Sequence, residues 1–158
     1  RAHRRRGRWC SDPRVPPEIA SAIPCDAKGV RVYSDTASSQ YLPIVYQALA
    51  SRGYVITQDN ERMGTIATDF KDIGQGTTLR ISVLVTSNAG GSVAALRGQW
   101  GVTAGMGAGL SAAFGLNLGG TSAEDARWGE AGRSKVAFGE LAVIAHAFPH
   151  TRIEYAAQ

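Results

Sequence analysis

The stretch Thr78-Leu79-Arg80-Ile81-Ser82-Val83-Leu84-Val85-Thr86 decides the architecture of this 158-residue chain. Apolar Leu79, Ile81, Val83 and Val85 alternate with Thr78, Arg80, Ser82 and Leu84. A period of two belongs to a strand, which sends successive side chains to opposite faces. One face therefore meets a core and the other meets solvent, as in an antiparallel sheet. Asn88-Ala89-Gly90-Gly91 is a turn, and Ser92 to Trp100 reads as the returning strand. So short a connection makes the pair antiparallel.

Towards the N-terminus, Gly74-Gln75-Gly76 is the preceding turn. Before it, Thr65 to Phe70 reads as a strand with Ile66, Thr68 and Phe70 on one face, entered through Gly64. Asp59-Asn60-Glu61 has turn chemistry and follows a short β-branched and aromatic strand, Tyr54 to Thr57. Tyr41, Leu42, Val45, Tyr46 and Leu49 recur at helical spacing. Ser38 or Ser39 would cap that helix, Pro43 would lie in or near its first turn, and Gly53 would end it in a left-handed conformation. Gly29 to Ser34 is a short alternating strand. On the C-terminal side, Phe138, Leu141, Ala142, Ala145 and Phe148 mark a second amphipathic helix, capped near Ser134 and stopped by Pro149. Arg152 to Tyr155 is a last strand. The order β-α-β-β-β-β-α-β predicts an α+β domain, an antiparallel sheet with two helices packed on one face. It would occupy residues 29–158, with a glycine-rich insertion at about 98–132, behind a basic, proline-rich arm at 1–28.

Tyr41 through Thr68 carries a resemblance. A helix ends in Gly53-Tyr54-Val55, a strand runs to Asp59, and Gly64-Thr65-Ile66 opens the returning strand. This pattern resembles the small repeated domain of BamC-type bacterial envelope lipoproteins over roughly residues 29–100. The resemblance implies a helix-on-sheet domain in the cell envelope, working as a non-catalytic part of a protein assembly. The arginine arm and the glycine-rich insertion depart from the pattern.

The formal charge of +4 is unevenly spread. Residues 1–14 hold six arginines (Arg1, Arg4, Arg5, Arg6, Arg8 and Arg14) against Asp12, while the remainder holds eleven basic and twelve acidic residues. A nucleic-acid-binding domain shows basic residues along one face of its folded part, and the near-neutral body gives no sign of such a stripe. Arg4, Arg5, Arg6 and Arg8, with Trp9, are candidates for contact with a membrane surface or an acidic protein; the alternative is a solvated terminus. An arginine run without interleaved aromatics is poorly suited to stacking on bases. Cys10 and Cys25 lie fifteen residues apart around four prolines. A bridge between them in an oxidising compartment would contribute about 3 kcal/mol by loop entropy; two unrelated thiols is the other reading.

The interval from Gly98 to Ala123 has no charged residue. Gly107-x-Gly109-x-x-Ala112 matches a dinucleotide fingerprint only formally, because Gly115, Asn117, Gly119 and Gly120 leave no helix to aim its amides at a pyrophosphate. Gly101, Gly105 and Gly109 have the spacing of helices packed in lipid, but large aliphatic side chains are few. Long irregular intervals usually act or are disordered, so Met106, Leu110, Phe114, Leu116 and Leu118 are candidate protein contacts. Trp100 and Trp128 bracket the interval and are candidate interface anchors, the alternative being that both cover their own sheet. Leu84 and Leu96 would extend an apolar contact patch. His146 and His150 are four apart, but Pro149 intervenes, and Asp69 and Asp72 flank a turn. None of these implies catalysis, and no cofactor or metal is expected.

The composite expectation is a non-enzymatic periplasmic or envelope protein, an accessory or assembly subunit contacting other subunits of a membrane-associated complex. A small-ligand module with a pocket between sheet and helices is one alternative. An RNA-associated protein working through the arm is another.

Overall fold

The alternating stretch lies within β5 (Thr77–Asn88), hairpinned to β6 (Gly91–Val102), in a computed structural model that describes residues 12–103, 123–129 and 132–157. The hairpin register is unbroken from Thr77 opposite Val102 to Asn88 opposite Gly91. Its two-residue turn is closed by Gly90 at φ 87°, a conformation open to glycine at little cost. Around this hairpin stand β1 (Gly29–Ser34), β2 (Ile56–Asn60), β3 (Thr65–Thr68) and β8 (Arg152–Ala156), giving the order β2-β3-β5-β6-β1-β8 with every pairing antiparallel. Two short strands fill the lanes left open. β4 (Lys71–Gly74) continues along β5 past the end of β3, and β7 (Glu124–Asp125) continues along β6 past the end of β1.

Helices α2 (Ser38–Ser51) and α3 (Arg133–Ala147) pack on β1, β5 and β6, and the single turn α1 (Pro17–Ala20) touches α3. Leu79, Ile81, Val83 and Val85, with Val30, Val32, Ala94 and Leu96, are buried against Tyr41, Val45, Leu49, Phe138, Leu141 and Ile144. Each large side chain so buried contributes about 1.5–3 kcal/mol. The expected α+β architecture, with its long helices on one face, is what forms.

Several local expectations are corrected. The N-cap positions are Ala37 and Gly132, and neither makes a side-chain cap bond. The serines are used elsewhere: Ser38 Oγ lies 2.9 Å from Ser87 Oγ, and Ser134 Oγ accepts from the Arg127 amide at 2.8 Å. Pro43 lies inside α2, beyond its first turn, and Tyr46 is exposed. Strand β2 starts later than Tyr54 and includes Asp59 and Asn60, so the turn falls on the four residues before Thr65. Strand β3 stops at Thr68, where the ladder to β5 is interrupted. The Thr68 hydroxyl accepts from the Ile81 amide (2.9 Å) in place of a ladder carbonyl, and pairing resumes at β4. Leu96 faces the helices and is buried, leaving Leu84 alone exposed on the other side.

The boundaries of the arm and insertion also shift. Val15, Ile23 and Ala27 are core residues, so the described part of the 1–28 arm packs on the body. Strand β6 pairs through Val102, β7 lies beside Gln99 and Trp100, and Trp128 bridges Ala27. Residues 98–102 and 124–128 therefore belong to the sheet.

Candidate functional site

Burying one face of β5, β6 and β1 leaves their other face to the alternate residues. No described element covers it: Ser82, Leu84, Thr86, Arg97 and Arg31 are exposed. Register then assembles what the sequence scatters. Arg31 is opposite Ala95, Arg97 opposite Ser82 and Arg80 opposite Gln99, so Arg31, Arg97 and Arg80 run diagonally across β1, β6 and β5. Diagonal neighbours in a sheet stand about 7–8 Å apart.

These three guanidiniums are held differently. Arg80 donates through Nε to Gln99 Oε1 (2.8 Å) and through Nη2 to the same oxygen, while its Cζ lies 4.9 Å from the Phe70 ring centre. That side chain is fixed. Arg97 and Arg31 have no hydrogen bond or ion pair among the described residues. Beside Arg80 and Arg97 lies a polar groove of about 490 Å³, whose lining includes Ser82, Thr57, Gln99 and Asp125. On the β8 side, Arg152 stacks over Tyr33 (4.1 Å) and pairs with Glu154 (3.3 Å), which also accepts from the Tyr33 hydroxyl (2.9 Å). Arg31, Arg80, Arg97 and Arg152 thus share the face with Glu154, Asp125 and Asp72. The body is close to neutral in sum, as its composition requires, and on this surface a short line of arginines stands among carboxylates.

The residues singled out in the sequence fall elsewhere. Trp128 is fully buried, tilted against the Phe138 ring (centroids 6.3 Å apart) with Lys135 over it (5.5 Å). It is a core residue and offers no surface to a partner. Trp100 is half-buried, opposite Leu79 on the helix side of the sheet, and packs against the core. Arg4, Arg5, Arg6, Arg8, Trp9, Cys10, Met106, Leu110, Phe114, Leu116 and Leu118 lie outside the described residues. Cys25 is disulfide-bonded, and the chain has one other cysteine, Cys10.

Several ionisable groups away from the arginine line have structural partners. His146 Nε2 lies 2.9 Å from the Tyr155 hydroxyl, and His150 Nδ1 lies 2.6 Å from the Phe148 carbonyl. Burial, then the neighbouring His150, pushes the His146 pKa down, and burial pushes Tyr155 up to about 12. Asp69 and Asp72 each accept from a turn amide, of Phe70 and Gly74. Asp12 is held below the usual carboxylate range by its hydrogen bonds from Arg14. Among the described residues no three His, Cys, Asp or Glu side chains are placed to hold a metal ion. No described helix is long and apolar enough to cross a membrane. The chemistry the open face supports is anion recognition, since a guanidinium fork binds a carboxylate or phosphate through two parallel hydrogen bonds.

Comparison with protein-family models finds no matching family, and comparison with curated proteins finds no match.

Proposed function

We propose that the protein is a non-catalytic accessory or assembly subunit of a membrane-associated complex in the bacterial cell envelope, and that it holds a partner protein on the open face of its sheet. One observation carries this reading: the sheet is two-sided, with one face filled by α2 and α3 and the other presenting unpaired arginines beside a polar groove. A rigid sheet with one free face is a docking platform, and its cationic character sets what docks. The resemblance of Tyr41 to Thr68 to the BamC-type domain supports the envelope setting, as does the disulfide at Cys25, since such bonds persist in oxidising compartments. The arginine arm supplies a second contact, with the membrane surface or an acidic subunit.

Position-specific photocrosslinking in membranes tests this. A crosslinker at Ser82, exposed on the open face, should join the chain to a defined envelope protein. One at Gln47, exposed on the outer side of α2, should not. Equal labelling from both positions, or none from Ser82, sinks the reading.

A further inference from the structure

We infer that the Arg31–Arg97–Arg80 diagonal receives an extended segment of a partner protein bearing carboxylates at alternate residues; this rests on the docking reading above. Charge complementarity supplies the first argument. Arg97 and Arg31 are exposed and unpaired among the described residues, while Arg80 is fixed by Gln99 and Phe70. Three carboxylates share the face, Glu154 opposite Arg31, Asp125 opposite Gln99 and Asp72 opposite Thr78, and none of them is ion-paired to Arg31 or Arg97. Glu154 is taken by Tyr33 and Arg152, Asp72 accepts from the Gly74 amide, and Asp125 lies across Gln99 from Arg80.

Spacing supplies the second argument. Diagonal neighbours are about 7–8 Å apart, and alternate side chains of an extended peptide recur at about 6.5–7 Å. Successive carboxylates of one strand therefore meet successive guanidiniums. The groove beside Arg80 and Arg97 adds Ser82, Thr57 and Gln99 as polar partners for the backbone of such a segment.

Ring occupancy favours a peptide over single-stranded nucleic acid, which needs free aromatic faces for base stacking. Among the described residues, the rings beside this line are already covered, Tyr33 by Arg152 and Phe70 by Arg80.

The test uses the full chain with Arg4, Arg5, Arg6 and Arg8 changed to glutamine, so that the arm does not contribute. A labelled decapeptide of alternating Glu and Thr is titrated by fluorescence anisotropy, beside its Gln-Thr counterpart and an oligothymidylate. The Glu-Thr peptide should bind and the Gln-Thr peptide should not. Arg31→Gln and Arg97→Gln should each weaken binding roughly fivefold, the worth of an exposed ion pair at the upper end of its range. Arg97→Lys keeps the charge, loses the two-pronged fork and should fall between. Arg62→Gln, an exposed arginine in the β2–β3 turn, should change nothing. Undiminished binding in the Arg31→Gln/Arg97→Gln double variant overturns the inference. So does tighter binding of oligothymidylate through the same arginines. Either result leaves the Ser82 crosslink standing, so failure here is distinguishable from failure of the docking reading.

Discussion

Thr68 shows how much one side chain decides. Its hydroxyl stands in for a strand carbonyl beneath the Ile81 amide, in a buried setting. Thr68→Val keeps the shape but leaves that amide without an acceptor, which should lower the unfolding free energy by about 1–3 kcal/mol in urea denaturation; Thr68→Ser should recover most of the loss. His146 gives a pH dependence of definite sign. Burial and His150 lower its pKa in the folded chain from the ordinary 6.5, with the Tyr155 hydroxyl as its partner. The unfolded chain therefore binds more protons as the pH falls below 6.5. Stability is full above that value and declines as the pH drops towards the folded one. Melting midpoints taken from about pH 7 to about pH 5 should fall, and His146→Gln should flatten part of that slope.

At the scale of elements, the long strands and both long helices were legible because their apolar periods are two and 3.6. Strands β4 and β7 were not, having four and two residues and gaining their identity from lanes that β3 and β1 leave open. For the same reason the sequence leaves Trp128 open between interface anchor and cover of its own sheet: Ala126 and Trp128 alternate with Asp125 and Arg127 over too few residues to read as a strand. The candidate site was legible only in pieces. Arg80 stood plainly on the solvent side of its strand, and the alternation around Arg31 and Arg97 was there to read. The diagonal exists only once register is fixed, and register is a property of pairs of strands. Helix α2 ends as its sequence suggested, at Gly53 with φ 86°, and Lys71 Nζ donates to the Arg52 carbonyl beside it. Gly53→Ala should cost about 1 kcal/mol, read by thermal melting, because a Cβ is strained in that conformation.

The whole molecule responds to alkali through its tyrosines. Burial raises Tyr41 and Tyr155 to about 12 and lifts Tyr54 further, while the Tyr41 hydroxyl donates to the Pro149 carbonyl (2.8 Å). An unfolded tyrosine ionises near 10, so between 10 and about 12 the folded chain keeps protons that the unfolded chain loses. Stability should be unaffected by these groups below that window and fall through it. Tyrosinate absorbance and loss of circular dichroism should then rise together; tyrosinate signals completed well before unfolding would contradict the burial.

Sheet order has a last consequence, for synthesis. β1 is early in the chain, but one of its edges is closed by β8, pairing Gly29 with Ala156. While the ribosome is still at work, every other long strand has emerged and β1 keeps a row of bare amides and carbonyls, the kind of edge that recruits foreign strands. A product cut short before Arg152 would keep that edge of β1 open, whereas pairing with β8 moves the open edge outward to a five-residue strand carrying Arg152 and Glu154.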